Sequence, residues 1–205
     1  MIKYLRAGRA TLVISLIILS FAAGFIIANY LQAPSTITPS NIVTITSRPL
    51  LTVVESLVDD RYFNELKDLL LKANSSVYVI MYVIKYDPNE PDDPVNQLLS
   101  VLAELRTRGV DVKVVVDDET YRSYPETITY LKNAGVPTRL DKSQRTTTHA
   151  KLVIIDNETV VIGSHNWTES ALRYNHEASV MVQDKEIAEE LARYFMNLWN
   201  EGRSV

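Results

Sequence analysis

The chain contains no cysteine. Disulfide staples, thiolate metal sites and cysteine nucleophiles are therefore excluded, while the redox compartment stays open. Charge is nearly absent from the first part of the chain, where Lys3, Arg6 and Arg9 are the only charged side chains up to Ser47. Of 21 basic residues this leaves 18 against 25 acidic ones in the remainder, about −7 with histidine neutral. That balance gives no broad basic face for a nucleic-acid backbone, although a local basic pocket inside an acidic domain is compatible with it. Extended disorder is excluded as well, because 46% of the residues are hydrophobic. The 205 residues allow one compact domain plus an appendage, not two full catalytic domains.

Thr11 to Leu31 carries no charge and is about long enough to cross a bilayer as a helix. A cleaved secretory signal predicts a shorter apolar core and a clean small-residue site. Ala22, Ala23 and Ala28 offer small residues, but the apolar run continues past the first two. Length favours an uncleaved transmembrane anchor over residues 11–31. Residues 1–10 then form a cytoplasmic basic segment, and 32–46 an uncharged linker rich in Pro, Ser and Thr. Residues 47–205 form the folded domain on the extracytoplasmic side, or a secreted protein if the signal is cleaved.

Within that domain strand and helix patterns alternate. Helices are expected at Arg61–Ala73, Val95–Arg108, Tyr124–Asn133 and Lys185–Asn200. Strands are expected at Val77–Ile84, Val110–Val116, Val136–Leu140, His149–Ile155, Thr159–Ile162 and Ala178–Val182. Val112–Val116 and Leu152–Ile155 are nearly continuous apolar runs, which suits central strands covered on both faces. Thr159 follows Ile155 too closely for a crossover. The class is α/β, a mixed sheet flanked by helices on both faces, behind an N-terminal transmembrane helix.

The chemistry concentrates in H-A-K-L-V-I-I-D, His149 to Asp156, and in G-S-H-N, Gly163 to Asn166. On a strand, His149 and Lys151 point to the same side. Both are polar residues opening an apolar strand, so burial requires partners. A phosphate supplies them: lysine gives charge, and imidazole can attack or donate a proton. Gly163 allows close backbone approach, and Ser164 and Asn166 add neutral donors.

The spacing His-x-Lys, four residues, Asp, six residues, Gly-Ser-x-Asn resembles the signature of the phospholipase D superfamily without a gap. Asn175-His176-Glu177 is similar to its Asn-x-Glu. G-V-D-V-K-V-V-V-D-D, Y-L-K-N-A-G-V-P and N-L-W-N-E-G-R resemble its small bacterial nuclease branch. The resemblance covers roughly Ser56 to Arg203 and implies a phospholipase D-like fold.

It also implies roles. His149 would attack phosphorus and form a phosphohistidine. Lys151 and Asn166 would bind the nonbridging oxygens, with Ser164 adding a hydrogen bond. Glu177 would accept from the other ring nitrogen of His149 and fix its tautomer. Asp156 belongs to the catalytic signature but reads as a support for strand ends and histidine pairing. The family's chemistry uses no metal and no cofactor. Its site needs two histidines, and this chain has one copy of the motif, so a homodimer sharing one site is expected. The implied activity is phosphodiester hydrolysis. DNA or RNA is the first substrate class, phospholipid headgroups at the anchoring membrane the second. A non-catalytic phosphate-binding module is the third reading, which the intact residue set opposes.

Blander readings apply around the motif. A metal site of His149, His165 and His176 matches no zinc spacing, and Lys151 would repel the ion. Trp167 is read as packing, and Lys85 and Tyr86 as a solvated strand end. Arg145 with Thr146 to Thr148 is a polar loop that could also meet phosphate. Asp117, Asp118 and Glu119 form an acidic strand end, read as capping the next helix or facing water rather than as binding a metal. Three glycosylation sequons occur, and the one at Asn166 would block the phosphate site.

Overall fold

Valine- and isoleucine-rich runs form the centre of an eight-stranded mixed sheet in the computed structural model, which describes residues 52–205. The expected segments 1–10, 11–31 and 32–46 lie outside these residues. Among the described residues, no helix is long and apolar enough to cross a membrane.

The elements run β1 (Val53–Val58), α1 (Arg61–Leu71), β2 (Ser76–Met81), α2 (Pro94–Thr107), β3 (Asp111–Val116), α3 (Asp118–Ser123), α4 (Pro125–Asn133) and β4 (Thr138–Leu140). They continue with β5 (Lys151–Ile155), β6 (Thr159–Gly163), α5 (Glu169–Arg173), β7 (Ala178–Gln183), α6 (Lys185–Glu201) and β8 (Arg203–Ser204). The strand order is β1-β7-β6-β5-β2-β3-β4-β8. β2, β3 and β4 are parallel, and the other pairings are antiparallel.

Helices cover both faces, as the continuous apolar strands require. On one face Ala188 and Phe195 of α6 pack on Ile80, Val115, Leu152, Ile154 and Val160. On the other, Leu66 and Leu70 of α1, Leu98 and Leu102 of α2 and Leu131 of α4 close over Val79, Val114 and Val153. Local chemistry sets the boundaries. Asp93 caps α2, its side chain accepting from the Val95 N–H, with Pro94 in the first turn. Asp184 caps α6 in the same way. Gly109 and Gly135 take the left-handed backbone that follows α2 and α4.

Three departures from the sequence reading matter. β1 was not expected, because only Leu57 in it is buried and no alternation shows. β2 ends at Met81 rather than Ile84, and Ile84 instead bridges to Trp167. β5 begins at Lys151, so His149 lies in the irregular segment before it.

Candidate active site

The signature residues gather where β2 ends, β5 and β7 begin and β6 ends. Register places Lys151 opposite Met81, Leu152 opposite Ile162, and Gly163 opposite Ser179. The tight fit of β6 on β7 explains Gly163: a Cβ there would overlap Ser179 and the Ala178 carbonyl.

Lys151 is buried, at 7% exposure, and His149 is exposed. Although they do not share a regular strand, their side chains meet. The Lys151 ammonium lies 3.2 Å from Nδ1 and 3.1 Å from Nε2 of His149, and donates to the His149 carbonyl at 2.9 Å. Tyr82 backs both groups. Its ring centroid is 4.7 Å from that of His149, and the ammonium lies 5.0 Å from it. Burial pulls the Lys151 pKa below its usual value, and the negative charge of Glu177 opposes that shift.

Ser164 links two parts of the site. Its hydroxyl bonds to the Glu177 carboxylate and accepts the Ala178 N–H at 3.0 Å. Glu177 also accepts from Asn175 at 3.2 Å. Within the single chain, and among the described residues, Glu177 makes no hydrogen bond to His149; its carboxylate is held by Ser164 and Asn175. Asn166 sits on the segment fixed by two bonds of Trp167, N–H to the Val83 carbonyl at 3.0 Å and carbonyl to the Lys85 N–H at 2.8 Å. The Oδ1 of Asn166 is enclosed and has no hydrogen-bond partner among the described residues.

Asp156 lies at the opposite end of β5. With Asn157 it forms the β5–β6 turn, both residues at positive φ (56° and 53°), closed by the Glu158 N–H on the Ile155 carbonyl at 3.0 Å. Its carboxylate accepts the N–H groups of Asn74, Ser75 and Ser76 and the Ser75 hydroxyl. It therefore ties the turn to the start of β2, and among the described residues it makes no hydrogen bond to a histidine.

Several positioning residues escaped the sequence reading. Asp59, at φ 51°, exchanges two hydrogen bonds with Glu177: its N–H donates to the Glu177 carbonyl at 3.0 Å, and its Oδ1 accepts the Glu177 N–H at 2.9 Å. His165 is fully buried, stacked on Tyr62 at 4.1 Å between centroids, and bonded to Ser179 and the Asp59 carbonyl. Asp117 caps α3, a short helix that the sequence reading did not place and that itself takes in Asp118 and Glu119, and its other oxygen accepts the Thr148 N–H at 2.7 Å, immediately before His149. Asp141 accepts the Thr148 hydroxyl, and Arg203 braces Asp118 and Asp141 from the C-terminus. Trp167 is fully buried, and its indole N–H donates to Tyr62. The helix-capping polarity of Asp117 was the one signal in sequence that pointed to this brace.

A mixed α/β sheet of this order brings His149, Lys151, Ser164, Asn166 and Glu177 together at one end of its interior strands. The family model described as "Cardiolipin synthase, PLD-like domain" matches residues 66–199, and the chain belongs to the phospholipase D superfamily. It is 30% identical over 142 residues to a mitochondrial cardiolipin hydrolase of Xenopus tropicalis, a match that covers 69% of this chain and 63% of the relative. It is 28% identical over 100 residues to a phospholipase D of Rickettsia felis, covering 49% of this chain and 50% of that one. Each match thus spans less than two thirds of the relative's length. Among solved structures it is similar to Nuc of Salmonella typhimurium, a phospholipase D family member, with TM-score 0.65 and 28% identity, covering 75% of this chain and 98% of that one.

Proposed function

We propose that the domain hydrolyses phosphodiesters without a metal, in two displacements at one site shared by two copies of the chain. The observation that carries this reading is the contact between the buried Lys151 ammonium and the His149 imidazole. A phosphate oxygen is a stronger partner for that ammonium than a neutral ring. One His149 nitrogen attacks phosphorus, an N–P bond forms, and the bond to the leaving oxygen breaks. The leaving oxygen takes a proton from the second copy's imidazole. Water then attacks phosphorus, gives a proton to that imidazole and releases His149. Lys151 and Asn166 bind the nonbridging oxygens, Ser164 and Glu177 shape the rim, and Asp156 holds the far end of the strand.

A second copy is also favoured by the sheet surface. Ile162, Val180 and Val54 are 38%, 37% and 62% exposed. Register puts Ile162 opposite Val180 and Val54 opposite Val182 on one face. A second chain would cover this apolar strip.

Nucleic acid is the first substrate reading, supported by the match to nearly the whole of Nuc and by the resemblance to the small nuclease branch. Phospholipid is the second, favoured by the relatives named cardiolipin hydrolase and by the uncharged run 11–31, which we take as an anchor placing residues 47–205 outside the cytoplasm. The test is an assay of the detergent-purified chain on single-stranded DNA, RNA and cardiolipin with chelator present, beside His149→Ala, with mass measured by light scattering. Chelator-resistant cleavage that vanishes in the variant, from a dimer, is expected. A metal requirement at temperatures far below unfolding, or full activity in a monomer, would overturn the reading.

A further inference from the structure

The loop between β2 and α2 reads D-P-N-E-P-D-D-P over 87–94, and the phosphate site uses none of it. α5, late in the chain, brings Glu169 against it. Carboxylate oxygens of Glu90, Asp93 and Glu169 lie within 4.8 Å of one another. Asp93 is 2% exposed. Its Oδ1 accepts the Val95 N–H at 2.6 Å, while its Oδ2 is enclosed and accepts no hydrogen bond from any described residue. A buried carboxylate oxygen with no donor is unfavourable unless a proton or a cation answers it. Burial raises the carboxyl's pKa, and the Val95 N–H opposes that shift.

The neighbouring charges do not supply the missing partner. Arg173 donates to Glu169 Oε1 at 2.9 Å and to the Asp92 carbonyl at 2.7 Å. Lys85 pairs with Asp87 at 3.8 Å. Along residues 85–94 and α5 the acids Asp87, Glu90, Asp92, Asp93 and Glu169 thus outnumber the bases Lys85 and Arg173. The loop is also held in shape before any ligand arrives. The Asn96 amide donates to the Asp87 and Glu90 carbonyls at 2.6 and 2.8 Å, and accepts the Asp87 N–H at 3.1 Å.

We infer that Glu90, Asp93 and Glu169 form a binding site for a hard divalent cation of the calcium type. Oxygen-only ligands suit calcium or magnesium rather than softer metals, and an irregular carboxylate set completed by water suits calcium better than octahedral magnesium. With Arg173 cancelling part of the charge, the affinity expected is that of weak extracellular sites, a Kd on the order of 10⁻⁴–10⁻³ M. The ion joins loop 87–94 to α5. The Ile84–Trp167 bridge already joins the bases of the same two segments, so the ion closes a clip around the stretch that carries Asn166.

The test uses the detergent-purified full chain and the metals alone. Tyr174 donates to Glu169 Oε1 at 3.3 Å and can sensitise luminescence from bound terbium. Saturable tyrosine-excited terbium luminescence, displaced by calcium, is expected. It should weaken about tenfold or more in Glu90→Gln and Glu169→Gln, which change partly or fully exposed groups. Asp93→Asn keeps the helix cap and should lose binding as well. Millimolar calcium should raise Tm in the native chain and in none of the three variants. Equal terbium signal in the variants would overturn the site. So would a native Tm unmoved by calcium while Asp93→Asn raises it, since Asp93 then merely holds a proton.

Discussion

Ser75 gives Asp156 two hydrogen bonds, from its N–H at 2.8 Å and from its hydroxyl at 2.9 Å. With the Asn74 and Ser76 N–H groups they occupy the carboxylate at the end of β5 remote from Lys151. Asp156→Ala should therefore cost about 2–4 kcal/mol of stability while leaving turnover per folded molecule within about threefold. Burial pushes the Asp156 carboxyl up, but the hydrogen bonds from Ser76, Ser75 and Asn74 prevail and hold it below its ordinary value. A depressed folded pKa contributes stability above the unfolded value, about 3.9, that is lost as pH falls through the folded value. Urea unfolding should show native chain and variant converging toward pH 2. A thousandfold loss of turnover at unchanged stability would return Asp156 to the chemistry.

Lys151→Met should separate function from folding in the opposite sense. Burial disfavours the ammonium, so an apolar chain of similar length should leave Tm unchanged or higher. Turnover should fall by about a thousandfold or more, because the phosphate loses its buried cation. Activity within tenfold of the native chain would remove Lys151 from the phosphate site.

The His165 imidazole gives a pH dependence near neutrality. The Asp59 carbonyl can only accept, so Nε2 carries the proton and Nδ1 accepts from Ser179. Burial lowers the His165 pKa, opposed by the hydrogen bond to Asp59. A lowered folded pKa means the unfolded chain binds the proton first. Stability is present above the unfolded value of about 6.5 and declines as pH falls from there toward the folded value. Thermal unfolding across that window should show the slope, and His165→Gln should flatten it. An unchanged slope in the variant would assign it to another group.

Asp59 is a positioning residue for Glu177. Asp59→Ala removes the side-chain acceptor and forces alanine to a positive φ, so kcat should fall about tenfold with KM little altered. Asp59→Asn keeps both an acceptor and tolerance of that backbone and should restore most of the rate. If alanine and asparagine behave alike, the contact is merely structural.

The residues of the family signature were legible in sequence because their spacing is local. His149 and Lys151 are two apart, and Gly163 to Asn166 follow one hairpin later. The α/β class and the helices on both faces followed from apolar runs and helical periodicity, which record burial directly. The run 11–31 spoke only through its length and lack of charge. Other relationships required the chain to be folded. Asp156 meets residues 74–76, Asp59 meets Glu177, and Glu169 meets Glu90 and Asp93. These pairings join loops 76 to 118 residues apart in sequence. Strand order decides which ends become neighbours, and a period of two or 3.6 carries no record of that order. The sequence by itself determined the family signature and the residues that carry it. Only the tertiary structure decided that Asp156 braces a turn, that Glu177 is held by Ser164 and Asp59, and that an acidic loop closes on α5, because hydrogen bonds act over about 3 Å and only packing brings such distant groups that close.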